Sequence, residues 1–196
     1  MVEITLDQWP GWSNEFSLVY RQELSGQANG VSIGKDFGTP VWRGVWTTKD
    51  LRPNALDYWR ARLEALQGSM GTFYGYPLSR WYPSAHANGV GLPGGTVTVS
   101  AIALDYSTVS LAGASGLTLN IGDMISIADR LYRCIQASTG GSAFKVAPYI
   151  FPDVTTGMTV RVTNPRCIMR VVPGSFAAPS GLNGRGTVSF EALQAL

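Results

Sequence analysis

The sequence predicts a mainly β protein with one principal helix, followed by a second block of short strands that reads as a small β-barrel or sandwich. Three observations carry this. One stretch, Arg52 to Pro77, has the apolar period of a strong amphipathic helix. The segments before it alternate apolar and polar residues as strands do. After it, strand candidates recur about every ten residues between turn signals, the spacing of a small barrel or sandwich. Glycine supplies 23 of the 196 residues and charged side chains only 14%, which favours a turn-rich β chain over a disordered one.

Taken in order, Val2, Ile4 and Leu6 alternate with Glu3, Thr5 and Asp7, a short strand with one wet face. Trp9-Pro10-Gly11-Trp12 interrupts it, and Glu15 to Leu24 reads as a second strand. Gln27 to Gly38, with Asn29-Gly30, Gly34 and Gly38, reads as a projecting glycine-rich loop. Thr39 to Thr48 is a third strand with apolar residues on both faces, Val41 and Val45 against Trp42 and Trp46. Such a strand is expected to be buried on both sides. With one helix available as cover, the second cover is expected to be another subunit.

The helix places Ala55, Leu56, Trp59, Leu63 and Leu66 within roughly a 100° arc, the width of a core-facing stripe. Asp57, Arg60 and Glu64 lie opposite, three and four apart, where they can pair. A third arc, Tyr58, Ala61 and Ala65, is flat enough to lie against something else. Pro53 suits the first turn, with Arg52 or Asn54 as cap, and Gly68 suits the end. TFYGYP then returns to strand character before Pro77.

Leu78 to Gly95 reads as irregular linker. The strand candidates of the second block are TVTVSAIAL, STVSLAG, LTLNIGDMISI, RLYRCIQAS, FKVAPYI and GMTVRV. Arg166 to Leu196 returns to strand pattern with CIMRVV and GTVSFEAL.

A catalytic constellation is not evident. His86 is the only histidine, and a lone loop histidine is expected to be solvated. No second His or Cys cluster supplies a zinc set, and no G-x-S-x-G elbow occurs. Gly89-Val-Gly91-Leu-Pro-Gly94 matches a dinucleotide fingerprint in letters only, since a strand rather than a helix follows it. Asp123 is expected to close a turn, and neither Asp7 nor Asp105 has an evident acidic partner. We therefore expect no enzyme activity, no cofactor and no metal. Cys134 and Cys167 could pair, but two buried free thiols are the expected state. The net charge of +2, without basic blocks, gives no footprint for nucleic acid. Twelve of the fifteen basic residues are Arg, which is frequent at interfaces. No basic leader with an apolar run opens the chain, and no window approaches a membrane span. Phe73, Tyr74, Tyr76, Trp81 and Tyr82 form an aromatic cluster that reads either as packing or as a platform for a protein or sugar.

The order of features resembles one family. GKDFGTPVW (Gly34–Trp42), ALDYWRARLEALQG (Ala55–Gly68) and GTFYGYP (Gly71–Pro77) resemble the distal tail proteins of long-tailed, non-contractile bacteriophages and related phage-like particles. The resemblance implies a belt domain of strands plus one helix over residues 1–88, an inserted β-barrel-like domain over 89–164 and a return to the belt over 165–196. It implies a structural component of the virion tail tip, made and assembled in the host cytoplasm. Copies would form a homo-oligomeric ring, six-fold in that family, joining the tail tube protein to the hub and other tail-tip proteins, with DNA passing through the lumen without specific binding. A ring interface is head-to-tail and needs two different surfaces. On this reading one is the helix arc Tyr58, Ala61 and Ala65. The other is the Trp42/Trp46 strand face with Lys35 and Asp36 of the glycine-rich loop. The alternative is a carbohydrate-binding β-domain acting in host-surface recognition, with Trp81 and Tyr82 touching the glycan or a partner.

Overall fold

The computed structural model describes residues 4–5, 9–26, 30 and 32–195, leaving the rest of the Val2–Asp7 alternation and part of the glycine-rich loop outside the described residues. The first half forms β1 (Ile4–Thr5), β2 (Gly11–Val19), β3 (Gln22–Gly26), β4 (Ser32–Asp36), β5 (Val41–Thr48), α1 (Pro53–Glu64) and β6 (Phe73–Gly75). The second block forms β7 (Thr98–Ile102), β8 (Thr108–Ala112), β9 (Thr118–Leu119), β10 (Met124–Ile127), β11 (Arg130–Cys134), β12 (Ser138–Thr139), β13 (Phe144–Ala147) and β14 (Val160–Arg161). The chain closes with β15 (Cys167–Val171) and β16 (Ser189–Gln194). Strand dominates, with one α-helix among the described residues, as the sequence predicts.

Six strands make the first sheet, in the order β1-β6-β15-β16-β5-β2. Both ends of the chain supply it. β16 pairs antiparallel with β5 (Phe190 opposite Trp46) and with β15 (Arg170 opposite Leu193). A second sheet, β14-β10-β11-β13-β8-β7, curls into a nearly closed barrel. β7 comes back to its first strand: Val160 N–H donates to the Val97 carbonyl at 2.8 Å and Val99 N–H to Met158 at 2.9 Å. Closure removes the sticky edges that an open sheet would leave. The short pair β9/β12 packs beside it.

α1 begins at Pro53, with Arg52 as N-cap, and its last residue, Glu64, precedes Gly68 by a full turn. Left-handed Gln67 and Gly68 then redirect the chain. Leu56, Trp59, Leu63 and Leu66 are buried against the first sheet, whereas Ala55, the fifth member of the expected stripe, is exposed. Asp57 and Arg60 pair at 3.1 Å on the wet side.

Two hydrophobic cores result. The first joins α1 to Trp9, Trp42, Trp46, Phe73, Met169 and Phe190. The second fills the barrel with Ile125, Ile127, Tyr132, Cys134, Phe144 and others. The seam between them is β10 and β11. Successive strand residues point to opposite faces, so Ile125, Ile127, Tyr132 and Cys134 enter the barrel core while Met124 and Leu131 enter the first core.

That seam corrects one expectation. Trp42 and Trp46 are 0% exposed within a single chain, so they are not interface residues. Their cover is α1 together with the outer face of the barrel. Trp42 Nε1 donates to the Leu131 carbonyl at 2.7 Å, and the Arg133 guanidinium lies 4.9 Å from the centre of its ring. Trp46 stacks on Phe190 at 5.1 Å. Its indole also fills the space above Gly44, where an added Cβ would collide with it, while Met169 fills the space above Gly75.

Candidate interaction surfaces

Because β5 turns its tryptophans inward, its other face carries Val41, Arg43, Val45 and Thr47, all half-exposed. Register places Glu15, Ser17 and Val19 of β2 and Glu191 and Leu193 of β16 on the same face. Arg170 of β15, opposite Leu193, continues it, with Ile168 and Val172 to either side. None of these apolar side chains packs into either core. The face is therefore mixed: Val19, Val41, Val45, Ile168, Val172 and Leu193 are interleaved with Glu15, Ser17, Thr47 and Arg170, and one ion pair crosses it. Arg43 and Glu191 meet as a two-pronged fork, Nε–Oε1 and Nη2–Oε2 both 2.6 Å. The Glu191 carboxylate raises the Arg43 pKa by hydrogen bonding and charge. Such a pair in solvent adds little stability, but it fixes two side chains in the middle of this face.

The second surface is an arm. β3 and β4 continue the β2–β5 hairpin beyond the sheet, with Leu24 opposite Gly34 and Glu23 opposite Lys35. Every residue of both strands is exposed. The sequence reads this stretch as a projecting loop; it projects as a paired ribbon. Leu24 is 75% exposed and Ile33 51%. Lys35 lies 5.2 Å from the Phe37 ring centre, and Asp36 Oδ1 accepts from Gly38 N–H at 3.1 Å. A two-stranded ribbon by itself is marginal in water.

The third is the outer arc of α1. Tyr58 is half-exposed, its hydroxyl accepting from Arg62 Nη1 at 2.9 Å, and Ala61 and Ala65 are exposed beside it. The residues that the resemblance assigns to an interface thus divide. Tyr58, Ala61, Ala65, Lys35 and Asp36 are on the surface; Trp42 and Trp46 are in the core.

Trp81 and Tyr82 occupy the linker. Trp81 is 38% exposed, with its ring set edge-on to Tyr76 at 5.6 Å. Tyr82 is half-buried, and a Cβ on Gly89 would touch its ring. The linker itself is fastened to the barrel. His86, expected to be solvated, is 6% exposed. Its Nε2 accepts from Thr118 N–H and its Nδ1 donates to the Val90 carbonyl, both at 2.9 Å, which fixes the orientation of the ring. Asp123, expected to close a turn, does so by accepting from Asn120 N–H, and it is also buried and accepts from Ser84 N–H and Ser84 Oγ. Periodicity gives no sign of these two clasps, because each joins residues more than thirty positions apart.

Both cysteines are free and buried, Cys134 in the barrel core and Cys167 in the first core. Burial pushes the Cys134 thiol up to about 12 and raises Cys167 as well. Among the described residues, no group of three His, Cys, Asp or Glu side chains is placed to hold a metal ion. No helix among them is long and apolar enough to cross a membrane. The fold is thus a six-stranded sheet backed by one helix, with a barrel inserted between its strands. Compared with known proteins, the chain matches no protein-family model and no curated protein.

Proposed function

We propose that this chain is a structural subunit that assembles with copies of itself into a ring, at the tip of a phage tail or phage-like tail. The supporting observation is the uncovered face of the six-stranded sheet, where Val41, Val45, Ile168, Val172 and Leu193 stay outside both cores. Aliphatic side chains left outside the cores on one sheet face can be covered by another protein. The outer arc of α1 lies on the side of the sheet away from that face. The subunit therefore presents two unlike surfaces, which head-to-tail closure requires. The arm reaches outward, where it can meet a neighbour, the tube or the hub. The position in a tail and the six-fold number come from the resemblance carried by Gly34–Trp42, Ala55–Gly68 and Gly71–Pro77.

Native mass spectrometry and negative-stain images of the purified chain test this directly. A ring, six-fold on this reading, is expected. Val45→Glu should disperse it while changing unfolding stability by less than about 0.5 kcal/mol, as surface substitutions do. A wild-type protein that stays monomeric in both measurements at high concentration would sink the proposal.

A further inference from the structure

A recess of about 320 Å³ lies on the barrel beside the β10–β11 turn. Ser126, Ala128, Asp129, Met158, Thr159 and Arg161 line it. Ser126 of β10 stands directly opposite Arg161 of β14, so the two side chains share one face. Ser126 is 3% exposed, yet its hydroxyl makes no hydrogen bond among the described residues. A buried hydroxyl without a partner is costly, and this one borders an open recess. Arg161 is exposed and in no ion pair among the described residues. Ala128 and Asp129, which form the turn, are both left-handed. Two-residue turns of that shape favour Asn-Gly, and alanine is strained there. Strain held in a wall is a mark of functional sites. The turn sets the Asp129 carboxylate in the wall of the recess. Tyr74 OH donates to its Oδ2 at 3.1 Å, and Oδ1 is free among the described residues.

We propose that this recess binds one ring of a neutral sugar, its hydroxyls shared among Asp129, Arg161, Ser126 and Thr159 and its C–H face against Met158 and Ala128. The donor and acceptor inventory of the walls selects this class. Arg161 can only donate, ionised Asp129 can only accept, and the two hydroxyls do both. An anion would meet the Asp129 carboxylate, and a cation would meet the Arg161 guanidinium. An apolar group would leave the Ser126 hydroxyl buried and unpaired. A neutral polyol offers donors and acceptors side by side and meets neither objection. An amino-acid zwitterion is the rival, because it answers the two charges. Those charges are in contact with solvent, where pairing alone holds little, and the hydroxyls of Ser126 and Thr159 also need partners. The volume lies at the small end of ligand pockets and suits a single ring. Trp81 and Tyr82, the aromatic pair singled out from the sequence, are not part of this wall. The site is independent of the ring reading and stands whether or not copies assemble.

The test uses the full chain and saturation-transfer NMR with the methyl glycosides of glucose, galactose, rhamnose and N-acetylglucosamine. Glycine and succinate serve as the rival zwitterion and anion. At least one glycoside should show transfer that saturates with its concentration. Asp129→Asn and Arg161→Ala should each weaken that glycoside about tenfold, the loss expected for a hydrogen bond to a charged group. Ser126→Ala should weaken it about threefold, as a neutral bond does, and Trp81→Ala should leave it unchanged. Thermal melts establish which variants fold; Arg161 is exposed, so Arg161→Ala decides the matter should the others unfold. The proposal is overturned if no glycoside of the four binds, if folded Arg161→Ala binds as tightly as wild type, or if glycine or succinate binds more tightly than the glycosides. Loss of binding in folded Trp81→Ala would overturn it too, by placing the sugar at the linker.

Discussion

Two tryptophans four residues apart on one strand have different surroundings, and the difference is measurable. Trp42 Nε1 is hydrogen-bonded to Leu131, whereas Trp46 Nε1 is buried with no partner. Replacing each by Phe removes ring volume in both, but only Trp42→Phe strands a buried carbonyl. A buried acceptor left unpaired costs about 1–3 kcal/mol. Trp42→Phe should therefore cost more than Trp46→Phe by roughly that amount, read from urea midpoints; equal costs would contradict the seam described above. The cysteines give a second test at this scale. Their folded pKa values lie above the unfolded thiol value of about 8.5. Above that pH the unfolded chain has lost protons that the folded chain keeps, so stability is intact below it and falls as pH rises towards the folded value of about 12 for Cys134. Replacing both thiols by Ala should flatten that alkaline decline. In the native protein neither should react with a disulfide reagent at neutral pH, and both should react once urea unfolds the chain.

At the scale of elements, the arm is the piece whose removal costs least. Its two strands bury nothing, so replacing Gln22–Asp36 with a short turn should leave the urea midpoint of the monomer unchanged within about 0.5 kcal/mol. A large loss would mean that the arm supports the sheet. What the sequence makes legible also divides by element. α1 is readable because its stripe is local: Leu56, Trp59, Leu63 and Leu66 repeat at helical spacing and all are buried. β5 is readable as a strand with two apolar faces, yet its alternation cannot say which neighbour covers which face. That answer lies in Leu131 and Met124, some eighty residues downstream, and in Phe190, nearer the end of the chain. The same holds for His86 and Asp123. Their types are visible, but the partners that bury them, Thr118 and Ser84, are brought close only by the fold. Of the interface residues named from the sequence, those on the helix arc and the arm are on the surface, whereas Trp42 and Trp46, placed by strand alternation, are in the core.

At the scale of the whole molecule, β10 and β11 belong to both cores at once. Unfolding the barrel would strip Met124 and Leu131 from the first core and leave Trp42 without its acceptor. The two halves should therefore melt as one unit. Calorimetry should give a single transition whose van't Hoff and calorimetric enthalpies agree. Two resolved transitions would show that the seam is weaker than its burial implies.

The doubly buried seam also constrains descent. A lineage could not exchange this insert for an unrelated module as one swaps a cassette between permissive loops. Any newcomer would have to arrive with its own aliphatic pair and a backbone oxygen aimed at the indole of Trp42, or expose the floor of the host sheet to water. Recombination at residues 96 and 165 should thus yield foldable chimaeras only among donors that already carry an equivalent wedge.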